Sequence, residues 1–279
     1  MKIWTNNHIV LRWCACIVFF MAHSLISFSQ TDSLLHSVYS HYAKLLGWGK
    51  IDVLDTYLSP ESYKGASLLY ISDKISTQPY SIYSFRYLQQ LTFANIYNRS
   101  QNASELYGMY QIGYGFYRNW ALYNRKLHIC TGILLHGYLG AIYNAHNSNN
   151  PVQVKVGIQL SPSAMASYQF HIWHYPITVG YQVAMPVIGA TFSPQYGQSY
   201  YEIFCRGNYD HNVVTTSVGN APCIHQMVTA DFPLKHIFLR VGYMNDVQQY
   251  KVNQLKYHSY THSFVVGIVK HLKLTTVRP

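Results

Sequence analysis

Residues 152–173 alternate between apolar and polar or small side chains almost without interruption, and this pattern constrains the fold more than any other feature. A period of two places one set on each face of a β-strand. Strands in soluble domains usually have about five or six residues, whereas a tilted strand needs about 9–11 to cross a bilayer. A strand this long predicts a wall with lipid outside and a polar lumen inside. The apolar positions are Val152, Val154, Val156, Ile158, Leu160, Pro162, Ala164, Ala166, Tyr168, Phe170 and Ile172.

The same alternation recurs along the chain and predicts an antiparallel transmembrane β-barrel of ten strands. An even number of strands leaves both ends in the periplasm. If Tyr200–Phe204 and Val213–Ser217 form a further hairpin, the number becomes twelve. We expect long outer connections at 98–104, 144–151 and 244–257. The predicted strands lie near 45–56, 63–74, 81–98, 104–119, 127–143, 152–173, 177–190, 222–232, 236–245 and 261–274.

The N-terminus is typical of an export signal. Lys2 and Arg12 supply positive charge, Trp13–Phe20 is apolar, and small residues near Ser29 offer a cleavage site. A membrane-anchoring helix is the alternative, but the apolar run is short for one. We therefore expect a signal peptide at 1–29, a periplasmic segment at 30–44 and the barrel at 45–279, with a long extracellular excursion at 191–221. Helical spacing of Leu34, Leu35, Val38, Tyr42 and Leu45 predicts a short helix over 30–43.

The composition excludes several classes of protein. No segment after the signal has eighteen uninterrupted apolar residues, which excludes a helical membrane protein. Only 11% of residues are charged and 27 are tyrosines, as expected where apolar and wet regions meet. The formal charge of +10 is scattered, so we expect no nucleic-acid partner and instead contact with outer-membrane lipid and lipopolysaccharide.

The cysteines and histidines indicate neither a metal site nor a disulfide framework. Cys130, Cys205 and Cys223 remain after the signal, and the odd number argues against a framework, although Cys205 and Cys223 could pair. No Cys/His spacing resembles a zinc site, and the sequence predicts no cofactor.

Polar residues on the inner faces of the predicted strands form a candidate lumen network. Ten strands leave little room inside, so a packed or plugged lumen is expected. Partners for the network would be the acids Asp52, Asp55, Glu105, Asp231 and Asp246. The inward candidates are Arg86, Gln90, Lys155, Gln159, Gln182 and Arg240.

The densest aromatic stretch is 192–204, at the predicted barrel mouth. Tyrosine and glutamine suit a polar or sugar ligand, through stacking and hydrogen bonds. The alternative is a structural turn that plugs the mouth. The candidates for either role are Tyr196, Gln198, Tyr200, Tyr201 and Glu202.

Four segments resemble an exported family of Bacteroidetes-type bacteria, domain-of-unknown-function family 3316. They are 53–60 with Tyr63 and Gly65 after it, 147–151, 192–204 and 262–267. The resemblance covers essentially the whole mature chain and implies a location in the bacterial outer membrane. It implies no activity and no catalytic residues.

Two further functions stay open beside a structural or ligand-binding role. His146 and Ser148 resemble the His-x-Ser-Asn element of outer-membrane lipid A deacylases and phospholipases, with His146 as general base and Ser148 as nucleophile. No orienting acid is evident, so the sequence favours a protein that is not an enzyme. The third hypothesis is a narrow pore or transporter.

Overall fold

The fold is described from a computed structural model, which describes residues 36–77, 81–124, 126–144, 146–147, 150–173, 175–234 and 237–276. These ranges contain twelve β-strands and one short helix, α1 (Tyr200–Phe204). The strands are β1 (His36–Asp55), β2 (Ser62–Thr77), β3 (Tyr83–Tyr97), β4 (Ser104–Leu122), β5 (Leu127–Asn144), β6 (Val152–Ile172), β7 (Tyr175–Ala184), β8 (Ile188–Phe192), β9 (Val213–Ser217), β10 (Ile224–Leu234), β11 (Ile237–Val252) and β12 (Leu255–Thr276).

Ten of these strands close into an antiparallel barrel, which confirms the predicted fold. Their order is β5-β4-β3-β2-β1-β12-β11-β10-β7-β6, and the pairing of β5 with β6 completes the ring. Closure leaves no open edge in the ring, which matters because an unpaired edge in lipid would cost several kcal/mol per backbone group. Within the described ranges, the structure contains no helix long and apolar enough to cross a membrane.

The inner and outer faces alternate along the strands as the sequence predicts. On β6, Ile158 and Val156 point outward and are 41% and 38% exposed, while Gln153, Gln159 and Ser161 are buried inside. On β3, Phe85 and Phe93 face outward and Arg86 faces inward. The outer face of the wall is therefore apolar over long stretches.

The barrel interior is packed and is less polar than the sequence pattern predicts. One apolar cluster includes Ile51, Val53, Tyr107 and Ile142. A second includes Leu45, Leu69 and Val265. A barrel this narrow is filled by its own side chains, so inward positions on several strands are apolar core residues instead of lumen lining.

Two predicted segments differ from the structure at their ends. The predicted long outer connection at 244–257 is wrong, because β11 and β12 continue to a turn at Asn253 and Gln254. Both residues have positive φ, 50° and 64°, as a tight hairpin turn of the I′ type requires. Polar residues there, such as Asp246 and Gln248, pair with β12, and their side chains are hydrogen-bonded to each other inside the barrel.

The helix predicted over 30–43 is also wrong from residue 36 onward. Residues 36–43 belong to β1, so the wall begins at His36, ahead of the predicted boundary at 45. Strand pairing with β2 extends down to Tyr39, and a ladder of this length outweighs a weak helical spacing. Leu34 and Leu35 and the predicted signal peptide lie outside the described residues.

The excursion predicted at 191–221 contains a hairpin that extends the wall. β9 pairs with β8, whereas Tyr200–Phe204 is helical, so the further hairpin forms with a different partner from the predicted one. β8 pairs with β6 beyond the end of β7. Met185 N donates to Pro162 O (3.1 Å) and Val187 N to Leu160 O (3.0 Å), so the hydrogen bonds to β6 continue between β7 and β8.

Asn220 bridges β9 and β11 where no strand ladder joins them. Its side chain accepts a hydrogen bond from Ser217 N (2.7 Å) and donates to Thr215 O (3.0 Å), as a neighbouring strand would. Its backbone carbonyl accepts from Lys251 N (2.8 Å). One amide side chain thus pairs two backbone groups on the free edge of β9.

Candidate functional site at the barrel mouth

The connection between β8 and β9, residues 193–212, lies at the barrel mouth and is called the mouth segment below. It contains α1, whose first turn carries a capping box. Ser199 Oγ accepts from Glu202 N (3.3 Å), and a Glu202 carboxylate oxygen accepts from Ser199 N (2.8 Å). Hydrogen bonds from the Ser199 backbone and hydroxyl lower the pKa of Glu202 below its ordinary value.

Gln198 holds the mouth segment together from within. Its side-chain oxygen accepts from Gln195 N (3.0 Å) and from Asn212 Nδ2 (2.7 Å), and its Nε2 donates to Asn208 O (3.0 Å). The residue is buried. A buried amide with this many partners fixes the loop and is not available to a ligand.

Tyr200 ties the mouth segment to the wall. Its hydroxyl accepts from Val154 N and donates to Gln153 Oε1, both at 2.8 Å. Its ring packs edge-on against the Tyr57 ring, with 5.8 Å between the ring centroids. Tyr57 Oη in turn donates to Gln198 O (3.0 Å). Burial raises the pKa of Tyr57 to about 12, so both hydroxyls stay protonated and able to donate at neutral pH. Ile203 of α1 is fully buried and completes the attachment.

The other aromatic residues of the mouth segment face solvent. Tyr196 is 72% exposed and Tyr201 is 60% exposed. Phe204 and Tyr209 are exposed as well, and the Arg206 guanidinium lies 5.5 Å from the centre of the Tyr201 ring. The five predicted residues therefore divide by role: Gln198 and Tyr200 are structural, Glu202 caps α1, and Tyr196 and Tyr201 are free to contact a ligand.

A small cavity lies just inside the mouth. Its volume of about 20 Å³ has room for one or two water molecules. Lys155 and Asp55 line it and form an ion pair at 2.6 Å. The Lys155 ammonium also lies 4.0 Å from the centre of the Tyr257 ring, so a carboxylate and an aromatic ring both stabilise its charge.

The six predicted lumen residues all face inward, but they form separate groups. Arg86 makes a bidentate pair with Asp73 (2.9 and 2.8 Å) and donates to Gln182 (2.6 Å). Asp73 was not named as a partner from the sequence, although the alternation along β2 places it inside the barrel. The remaining contacts are Gln90 to Asp246 (3.3 Å), Gln159 to Tyr250 (2.7 Å), Arg240 to Asp231 (2.6 Å) and Lys155 to Asp55.

Two histidines that the sequence did not single out also face the barrel interior. His225 Nδ1 lies 2.8 Å from Asp246, and His136 Nδ1 lies 3.2 Å from the buried Ser161 hydroxyl. The two imidazole rings pack edge-on, with 5.2 Å between their centroids. They line a cavity of about 60 Å³, enough for a few water molecules. The alternation along β10 and β5 places both histidines inside the barrel, but it does not show which inward residues contact each other.

The remaining sequence candidates are the pair His146 and Ser148 and the cysteines. His146 is exposed and its backbone N donates to Asn144 Oδ1 (2.9 Å), while Ser148 lies outside the described residues. Cys205 is exposed, Cys223 is buried, and both thiols are free, so the two do not pair. In the part of the chain that the structure describes, no three His, Cys, Asp or Glu side chains are placed to hold a metal ion.

Comparison with known proteins identifies a family and similar barrels. The family model described as "Protein of unknown function (DUF3316)" matches residues 11–279. Outer-membrane protease OmpT from Escherichia coli is similar with a TM-score of 0.46 and 8% identity, covering 87% of this chain and 100% of that one. The transport unit of autotransporter AIDA-I from Escherichia coli has a TM-score of 0.42 and 10% identity, covering 92% and 96%.

The translocator domain of autotransporter NalP from Neisseria meningitidis is similar with a TM-score of 0.40 and 10% identity, covering 94% and 98%. The sequence matches no curated protein.

Proposed function

Because this chain belongs to the DUF3316 family of proteins of unknown function and its strands close into a barrel, we propose that it is a bacterial outer-membrane protein that displays a ligand-binding loop above a closed lumen. The observation that carries this proposal is the apolar outer face of a closed ring of long strands. Such a face would be costly in water and is favourable in lipid.

The distribution of outward lysines supports a location in a bilayer. On β1, Lys44 and Lys50 bracket Leu46 and Trp48, which are 64% and 57% exposed. On β2, Lys64 and Lys74 bracket an outward stretch that includes Leu68. Charges at both limits of an apolar band are expected where strands emerge into two headgroup regions. Closed barrels with an even number of antiparallel strands are typical of bacterial outer membranes.

The packed interior supports a lumen that does not conduct. Cavities of about 20 and 60 Å³ hold single waters or a few of them, which is far from a continuous aqueous path. The mouth segment also covers one end. These features disfavour a pore, although pores of the outer membrane share the barrel architecture.

The exposed aromatic residues of the mouth segment are the proposed ligand contacts. Tyr196 and Tyr201 present flat apolar faces and a hydroxyl each, on a loop that Gln198 and Tyr200 hold rigid. A preorganised loop loses little conformational entropy on binding. We propose a saccharide of the cell surface as the ligand, because ring stacking and hydroxyl hydrogen bonds suit its chemistry.

Binding to a glycan array by the detergent-purified protein tests the ligand. The Tyr196→Ala/Tyr201→Ala variant should lose about 5- to 30-fold in affinity for any glycan bound, since each exposed aromatic face contributes on the order of 0.5–1 kcal/mol. The matched control is Tyr123→Ala/Tyr175→Ala, which removes two exposed tyrosines at the opposite end of the barrel. Equal loss in both variants, or no glycan bound at all, would contradict the ligand assignment.

Fractionation and conductance test the location and the closed lumen separately. The protein should be recovered with outer-membrane vesicles, and planar bilayers that contain it should show no steady single-channel openings. Recovery in a soluble fraction would contradict the location. Steady openings would contradict the closed lumen and leave the location standing.

A further inference from the structure

The described lysines of the outer wall are concentrated on four adjacent strands, β11, β12, β1 and β2. Four of them lie toward the end that carries the mouth segment, and we call these the outer lysine group: Lys50, Lys64, Lys251 and Lys256. Three lie toward the opposite end and form the inner lysine group: Lys44, Lys74 and Lys270. The outer faces of β4 to β7 carry a single described cation, Arg118, so the charge marks one side of the barrel.

Lys251 and Lys256 lie directly opposite each other on β11 and β12. Opposed residues of an antiparallel pair have Cβ atoms about 4.5–5.5 Å apart, and two like charges at that separation destabilise the hairpin unless an anion lies between them. Both side chains are exposed. On the described outer faces of these four strands, Asp52 is the one carboxylate, and it already pairs with Lys64 (2.9 Å) and approaches His258 (3.6 Å).

The backbone presents the two opposed lysines on a fixed platform. Thr56 at the end of β1 donates its N–H to Lys256 O (3.0 Å), and its hydroxyl accepts from Lys256 N (2.8 Å). Asn220 O accepts from Lys251 N (2.8 Å). The hairpin tip is therefore tied to both neighbouring segments, so its backbone needs no ordering when an anion binds.

Lys50 extends the positive charge down toward the apolar band of the wall. It follows Trp48 on the outward face of β1, so it lies where the strand leaves the hydrocarbon. Anions of a lipid headgroup are found at that depth, and a lysine near a membrane surface attracts them. The outer lysine group thus runs from the membrane boundary up to the hairpin tip.

From this arrangement we propose that the outer lysine group binds the phosphate groups of a phosphorylated outer-leaflet glycolipid, with one phosphate between Lys251 and Lys256 and another near Lys50. The inference rests on the proposed outer-membrane location, which places this end in the outer leaflet. It goes beyond that location by naming the headgroup chemistry and the residues that recognise it. Lys64 adds to the positive electrostatic potential of the group but remains paired with Asp52.

Titration of the purified protein in neutral detergent with bisphosphorylated lipid A tests the proposal, with native mass spectrometry as the readout. The Lys50→Gln/Lys251→Gln/Lys256→Gln variant should bind about 10- to 100-fold more weakly than the unchanged protein. The control is Lys44→Gln/Lys74→Gln/Lys270→Gln, which removes the same charge from the inner lysine group. Its affinity should stay within about twofold of that of the unchanged protein. Neither the unchanged protein nor the variants should bind lipid A without phosphate appreciably.

Three results would overturn the proposal: equal losses in the two triple variants, equally tight binding of dephosphorylated lipid A, or full competition by low millimolar inorganic phosphate. The last would show a site for a free anion instead of a lipid. If the triple variant fails to fold on a heat-modifiability gel, Lys256→Gln alone should still weaken binding about fivefold, and no change there would also overturn it. Because this assay is done in detergent, its failure is distinguishable from failure of the outer-membrane location, which fractionation measures.

Discussion

The barrel wall and the mouth segment are stabilised in different ways. The wall is held by backbone ladders that run for many residues, such as the pairing of Leu127–Tyr143 with Val152–Tyr168 between β5 and β6. The mouth segment depends on side chains, chiefly the amides of Gln198 and Asn212 and the hydroxyl of Tyr200. A wall of this kind tolerates most single changes on its surface, whereas a loop held by a few side chains depends on each of them.

The two regions also differ in how a local change should spread. Removing one contact in the wall affects a cooperative structure, so the free energy of unfolding of the whole barrel should change. Removing a contact in the mouth segment should free that segment while the barrel stays folded, because local units can open below the global free energy.

The largest effect is expected inside the wall, at the Arg86–Asp73 pair. Asp73→Ala leaves a buried guanidinium with Gln182 and Tyr117 as its remaining side-chain partners, and losing one partner of such a pair costs about 3–5 kcal/mol. Urea unfolding in lipid vesicles should show this loss for the whole barrel. The double variant Arg86→Met/Asp73→Leu should recover most of it, because no unpaired charge remains. A loss below about 1 kcal/mol in Asp73→Ala would contradict the view that the interior is packed around this pair.

The next effect tests which face of the wall meets lipid. Ile133 on β5 points outward and is 53% exposed, and Tyr143 points outward near the end of the same strand. Ile133→Arg should cost about 2–4 kcal/mol in vesicles, and Tyr143→Arg about 0–1 kcal/mol, because the penalty falls from the bilayer midplane to the interface. Equal costs at both positions would argue against a membrane around β5.

Much of the wall could be predicted from the sequence because the alternation itself encodes which face each residue occupies. Val152 to Ile172 shows this best, since every outward position there is apolar. The ends of β11 and β12 were missed because polar residues such as Asp246 and Asn245 look like loop residues until their partners across the strands are known. Asp73 was missed for a related reason: parity places it inside but does not pair it with Arg86.

The mouth segment could be located from its aromatic residues but its internal roles could not be assigned. Gln198 and Tyr196 are both polar-capable residues in one short stretch, yet one is buried and the other is 72% exposed. The difference arises because Asn212 and Asn208 fold back onto Gln198 from ten or more positions away. No local pattern in 192–204 carries that information.

A smaller, local effect is expected at Gln198. Gln198→Ala removes its three side-chain hydrogen bonds within the mouth segment, which should lower the free energy of local opening by about 1–3 kcal/mol. Limited proteolysis should then cut within 193–212 faster, while the urea midpoint of the barrel stays nearly unchanged. Gln195→Ala is the matched control, since its side chain makes one exposed bond to Asp210 O. A large shift of the barrel midpoint would show that the mouth segment and the wall unfold together.

The smallest effect concerns the pH response of α1. The pKa of Glu202 is lower in the folded protein than in the unfolded chain, chiefly because Ser199 N donates to its carboxylate. The stabilisation of α1 is therefore complete above the unfolded pKa and is lost as the pH falls through the folded one. A spin label on Cys205, which is exposed one residue after α1, should become more mobile across that acidic range. In Glu202→Gln the label should show no such step, since the amide does not titrate. A step that persists in Glu202→Gln would assign the response to another group and leave the capping box without a role in it.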